Sequence, residues 1–280
     1  MKIDAHQHFW QLSRGDYGWL TPDLAPIYRD FGPSDLAPLL KRHGIAKSIL
    51  VQAAPTVAET EFLLQTAATS SFVAGVVGWV DFTAPDAPAT IGRLAGNSML
   101  VGLRPMLQDI TDTNWLLRSD IAPAVNAMID HGLVFDALIK PQHLKPLLGF
   151  IERYPALQIV IDHGAKPEIA AGLREPWRSD LQALAHHAGV TCKLSGLLTE
   201  AGPTPDPNVI HSYIKDLVQV FGPTRLLWGS DWPVVERAGG YDVWHRLASA
   251  AIGTLCADRR AWIFGTNAAE VYLSSGRGRV

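Results

Sequence analysis

The sequence predicts a (β/α)8 barrel, and three observations carry that expectation. The chain has 280 residues, in keeping with one α/β barrel of roughly 250 residues. Short, β-branched apolar runs alternate with stretches of helical periodicity along its whole length. The apolar runs end in His, Asp, Arg or Lys, where a barrel places its chemistry. The alternative is an open doubly wound sheet, but its Gly-x-Gly-x-x-Gly turn is missing: the first run ends in His6-Gln7-His8.

Eight runs qualify as strands: residues 2–5, 48–52, 73–80, 100–104, 133–136, 158–162, 191–194 and 226–229. Most are continuously apolar, as in a parallel sheet buried on both faces. Helices are expected between them wherever a capping residue opens and Gly or Pro closes a periodic stretch. Ser34-Asp35 opens 36–42, which stops at Gly44; Thr56 opens 58–69; Asp120 opens 121–131, which stops at Gly132. Pro141 precedes 143–153, closed by Pro155, and Asp206-Pro207 opens 208–221, closed by Gly222-Pro223. A last helix is expected over 257–273. No linker or composition break interrupts the pattern, so residues 1–280 read as one domain.

Composition narrows the function. With 24 Lys and Arg against 27 Asp and Glu, and no basic run, nothing favours nucleic acid or an anionic membrane as partner. No apolar run approaches the roughly 20 residues of a membrane span, and the N-terminus lacks the apolar region of a signal peptide. Cys192 and Cys256 form no disulfide or zinc-ribbon pattern and read as reduced, packed thiols, which fits a cytoplasmic protein. Nine Trp, several beside polar residues, suggest an aromatic-lined pocket.

The strand ends hold the candidate chemistry. His6 and His8 are two apart on the first strand, so both imidazoles face one side, as a metal clamp or polarising pair. The sixth strand exits in Asp162-His163-Gly164, which is either a polar cavity or a turn with Asp162 capping and Gly164 at positive φ. The eighth exits in Ser230-Asp231. Asp231 stands between Trp228 and Trp232, where desolvation would raise its pKa and make it a usable base, unless a metal or cation opposes the shift. Lys193 in an apolar strand is costly unless it faces a polar cavity or carboxylate, and Arg104 can grip a carboxylate or carbonyl oxygen. His43 and His131 sit near helix ends, His186, His187, His211 and His245 in helical patterns as packing residues, and His143 fits neither group.

These words together resemble the amidohydrolase superfamily. Ile3-Asp4-Ala5-His6-Gln7-His8-Phe9-Trp10, Val101-Gly102-Leu103-Arg104, Ile161-Asp162-His163-Gly164-Ala165-Lys166-Pro167, Lys193-Leu194-Ser195-Gly196-Leu197 and Trp228-Gly229-Ser230-Asp231-Trp232-Pro233 are similar to its sugar-lactonase branch, which includes L-fuconolactonases and L-rhamnonolactonases. The resemblance implies a barrel that hydrolyses a small-molecule sugar lactone, an aldono-1,5- or 1,4-lactone, to the aldonic acid. It implies that Asp231 activates water while His6, His8 and His163, with Arg104 or Lys193, polarise the carbonyl. Trp10, Trp79 and Trp232, with Gln52 and Asp81, are then candidates for binding the polyol. Two departures qualify the pattern. Pro105 stands where relatives often carry His, and Asp136 rather than His ends the fifth strand, so no binuclear centre is expected. No cofactor is strictly required, and one divalent metal such as Zn(II) fits His6, His8, His163 and Asp231. The other readings are a metal-dependent decarboxylase on a related barrel and a barrel that binds without catalysis. Segments 11–33 and 198–207 are expected to shape the pocket, while substrate identity and oligomeric state carry no signal.

Overall fold

The computed structural model describes residues 1–274, so the last part of the expected 1–280 domain lies outside the described residues. Strand β1 (Ile3–Gln7) leads through a long loop to α1 (Pro33–His43), and the alternation then repeats. It runs β2 (Lys47–Val51), α2 (Val57–Thr69), β3 (Val73–Gly78), α3 (Ala87–Ala95), β4 (Leu100–Leu103) and α4 (Ala122–Asp130). It continues β5 (Val134–Ala137), α5 (Leu144–Arg153), β6 (Ile159–Ile161), α6 (Trp177–Leu184) and β7 (Val190–Leu194). Helices α7 (Leu197–Glu200) and α8 (Pro207–Phe221) separate β7 from β8 (Leu226–Trp228), and α9 (Gly240–Leu255) follows.

The strands form one sheet in sequence order, every pair parallel. The ring closes just past β8: Trp232 bridges to Gln7, Asp231 N–H donates to His6 O (2.8 Å), and His8 N–H donates to Trp232 O (2.7 Å). This is the expected (β/α)8 barrel, with each expected strand present to within two residues at its ends. Ile3, Ile49, Val77, Val101, Val134, Val160 and Leu227 fill the lumen, and a larger apolar layer joins strands to helices. On α8, Ile210, Tyr213, Ile214, Leu217 and Phe221 recur at helical spacing and are buried, each worth roughly 1.5–3 kcal/mol of transfer free energy. Among the described residues no helix is long and apolar enough to cross a membrane.

Two helical expectations change. Helices α3, α6 and α9 form where no helix was expected; Pro88 and Gly92 interrupt the periodicity of α3 and Gly253 that of α9, and tertiary packing supports them. Residues 257–273 are not one regular helix. A tight turn, Ala257–Arg259, is followed by two wide-turn segments, Trp262–Thr266 and Ala269–Leu273, with extended backbone at Gly265. The path brings Ala268 and Tyr272 up against the lumen residues, which a straight surface helix would not do.

Helix α2 is tied to the β2 exit by its own first turn. Thr56 Oγ1 accepts from Glu59 N–H (3.0 Å), and the Glu59 carboxylate accepts from the backbone of Ala53 (3.0 Å) and Ala54 (2.6 Å). Burial pushes the Glu59 carboxyl up to about 7, with the Ala54 and Ala53 N–H groups opposing. A carboxyl raised above its ordinary 4.5 favours the folded state fully below that value and loses the contribution as pH rises through about 7. Between pH 5 and 8, urea unfolding should therefore show wild type losing up to roughly 3 kcal/mol more stability than Glu59→Gln. Equal losses in the two proteins would place the Glu59 pKa near its ordinary value.

Candidate active site

Strand β1 delivers two imidazoles by slipping its register. Between Asp4 and Gln7, three steps along β1 oppose two along β2, a bulge of the kind that re-aims side chains. Asp4 accordingly meets the helix layer, accepting from Tyr241 Oη (3.1 Å) and from Ser230 N–H (2.8 Å). His6 instead meets charged groups in the barrel: Lys193 Nζ at 3.1 Å and Asp162 Oδ1 at 3.4 Å. His163 and Asp231, at the β6 and β8 exits, hold left-handed backbone (φ 53° and 58°), an uncommon conformation that tends to gather at functional sites.

Asp231 Oδ1 lies 3.3 Å from His8 Nε2, 3.7 Å from His6 Nε2 and 3.8 Å from His163 Nε2. The Val51 carbonyl, 2.8 Å from His8 Nδ1, can only accept, so His8 carries its proton there and presents an Nε2 lone pair. His163 Nδ1 is held by Ser195 Oγ at 2.8 Å. Acceptors this close repel unless a proton or cation lies between them, so the cluster is built to hold positive charge.

Burial sets the charge states. It pushes His163 down to about 4, with Asp231 opposing, and burial together with Lys193 holds His6 well below the usual histidine range. Both imidazoles are thus neutral ligands at neutral pH. Burial also opposes ionisation of Asp231, but His163, His8 and His6 outweigh it and hold the carboxyl well below its usual range. The raised pKa expected from flanking indoles does not occur. Trp232 turns its ring away onto Phe9 and Phe31, and the three imidazoles face the carboxylate instead.

A charged layer lies beneath. Lys193 Nζ, with no exposure, donates to Asp136 Oδ2 (2.5 Å) and lies 3.0 Å from Asp162 Oδ1. Arg104 reaches Asp162 Oδ2 (3.2 Å), His6 Nε2 (3.4 Å) and the Gln52 carbonyl. Despite burial, Lys193, His6 and Arg104 hold Asp162 well below the carboxylate range. Asp136 and Asp162 were visible in the sequence only as polar strand ends. The signal that joins them is Lys193 in a neighbouring apolar strand, since a buried ammonium requires carboxylates.

Above the cluster is a cavity of about 200 Å³. His8, Arg104, His163 and Asp231 line it, together with Trp19, Lys166 and Arg237, which sequence reasoning did not single out. Segment 11–33 contributes Trp19, whose indole donates to Ala53 O (2.7 Å), and segment 198–207 contributes no lining residue. The other polyol candidates lie elsewhere. Trp10 is fully buried and donates to Arg29 O, Gln52 donates to Arg104 O, Trp79 is half-buried beside Thr60, and Asp81 is exposed and caps Thr83. His143, left open by the sequence, accepts from Lys140 N–H as a local cap.

His6, His163 and Asp231 offer ligand atoms all within 4.8 Å of one another, and these residues can hold a divalent ion. Neutral imidazoles and one ionised carboxylate form a suitable donor set for zinc. Comparison with known proteins agrees. The amidohydrolase family model matches residues 3–273. An L-fucono-1,5-lactonase of Burkholderia ambifaria is 49% identical over 97% of this chain and 95% of its own. A second, from Burkholderia multivorans, is 35% identical over 97% and 96%. A crystal structure of an amidohydrolase from Burkholderia multivorans with bound zinc superposes with a TM-score of 0.90 at 35% identity, covering 97% of this chain and 99% of that one.

Two glycines let the cluster close up. A Cβ on Gly229 would lie 2.7 Å from His6 Cβ, and one on Gly196 (φ 67°) 2.7 Å from His163 Cγ. Gly196→Ala must therefore displace the His163 ring, and a shift of about 1 Å costs on the order of 100-fold in turnover. Gly172→Ala is the control: it has nearly the same backbone (φ 67°, ψ 17° against φ 67°, ψ −3°) and open space around it. Steady-state kinetics should show the loss for Gly196→Ala alone. Equal losses would trace the effect to backbone strain.

Proposed function

Since the chain belongs to the amidohydrolase family, we propose that it hydrolyses a sugar lactone, an aldono-1,5- or 1,4-lactone of the L-fuconolactone type, to the aldonic acid. The observation that carries the reaction class is one ionised carboxylate, Asp231, ringed by three imidazoles at a small cavity. The substrate class is supported by the names of the two lactonase relatives. A cavity of about 200 Å³ suits a small polar molecule better than a drug-sized one.

In this reading Asp231 accepts a proton from the attacking water as the water oxygen bonds to the lactone carbonyl carbon. Arg104, with His6 or His163 as an N–H donor, stabilises the carbonyl oxygen as it gains charge. When the intermediate collapses, the ring C–O bond breaks and Asp231 returns its proton to the ring oxygen, which leaves as a hydroxyl. A divalent ion held by His6, His163 and Asp231 would supply Lewis acidity and a lowered water pKa. Lys166 and Arg237 at the cavity, with Trp19, are the side chains placed to meet the polyol or the product carboxylate.

Proton release measured on a panel of aldonolactones tests the reading. Turnover is expected on a 1,5-lactone, and Asp231→Asn should lower kcat by roughly 100- to 10,000-fold. Near-normal turnover by that variant would remove Asp231 as base. Absence of turnover on every lactone, with CO2 released from an aromatic acid, would replace hydrolysis with decarboxylation. The same assay after chelation separates the metal's part: activity that survives rests on the side chains, and activity restored by Zn(II) rests on the ion.

A further inference from the structure

Part of the site is held from below by the chain's tail. Tyr272, in the wide-turn segment Ala269–Leu273, is fully buried among the lumen side chains. Its hydroxyl donates to the Asp136 carboxylate, 2.8 Å from Oδ1 and 2.9 Å from Oδ2, and its ring centre lies 5.4 Å from Lys193 Nζ. Lys193 Nζ has three polar neighbours: Asp136 Oδ2, to which it donates, at 2.5 Å, Asp162 Oδ1 at 3.0 Å and His6 Nδ1 at 3.1 Å. The last contact sets the ammonium against the edge of the His6 ring. It fixes the orientation of the ring, with Nδ1 turned to Lys193 and Asp162 and Nε2 facing His8 and Asp231.

We propose that Tyr272 is a positioning residue that acts through Asp136 and Lys193 to hold His6 in the ring orientation the site uses. Among the described residues, Asp136 Oδ1 accepts from Tyr272 alone. Without that hydroxyl the carboxylate has no second anchor and can turn about its contact with Lys193. The ammonium then follows Asp136 or moves towards Asp162, and its contact with His6 loosens. Tyr272 does not line the cavity, so the loss falls on the chemical step and not on substrate binding.

Tyr272→Phe keeps the ring and removes only the hydroxyl. Its kinetic half rests on the hydrolytic reading above: kcat should fall about tenfold with KM within twofold and a melting temperature within a few degrees of wild type. The second half needs no turnover. In long-range 15N–1H spectra of protein as purified, the His6 ring nitrogens should move on Tyr272→Phe while those of the remote His131 and His211 stay in place. Unmoved His6 signals would overturn the proposal whatever the kinetics, and so would moved signals with unchanged kcat on an active lactone. If wild type turns over no lactone, the hydrolytic reading fails and the spectra alone decide this inference. Should Tyr272→Phe not fold, 3,5-difluorotyrosine incorporated at position 272 retains the donor with altered strength. His6 signals unmoved by that change would overturn the proposal equally.

Discussion

The ammonium of Lys193 lies in the middle of the barrel with no exposure, and much of the site's architecture answers that one charge. An unpaired ammonium there would cost several kcal/mol, so two carboxylates from neighbouring strands turn inward to meet it. Two carboxylates against one ammonium would leave an excess of negative charge, and Arg104 closes the balance from β4. Imidazoles placed above such a balanced layer stay neutral, because burial penalises their protonation and the charges below nearly cancel. Neutral rings aimed at one ionised carboxylate are what both a metal ion and a polarised carbonyl require.

Much of this was legible in the sequence, for a physical reason. Strands buried on both faces must be continuously apolar, so a charged residue at the end of such a run stands out, and His6, His8, His163, Asp231, Arg104 and Lys193 all stand out in that way. Their convergence follows from closing the sheet, which sequence order predicts. Other parts depend on geometry that no local pattern encodes. The acidity of Asp231 is set by the direction in which three imidazoles point, and the flanking indoles that suggested the opposite turn elsewhere. Trp10 and Trp232 beside the motif residues read as pocket walls, yet Phe31 and its neighbours offer them an apolar layer. The contact between Tyr272 and Asp136 spans 136 positions and passes through a tail whose irregular turns look, on paper, like an ordinary helix.

The division between scaffold and loops is also physical. Strand ends carry His6, His163 and Asp231, while the cavity's outer wall comes from connecting segments, which tolerate change. Trp19, Met106, Gln108 and Arg237 all lie on such segments.

The seam between β1 and the β8 exit has a temporal meaning. Ser230 N–H and Asp4 are separated by 226 positions, and the hydrogen bonds on either side of that contact join the first strand of the chain to the last. During synthesis, His6 and His8 leave the ribosome long before Asp231 exists, and loop-closure entropy delays a pairing of that span until the intervening strands have assembled. An incomplete chain can thus carry imidazoles but no carboxylate to work with them. The cluster is complete only when the ring shuts.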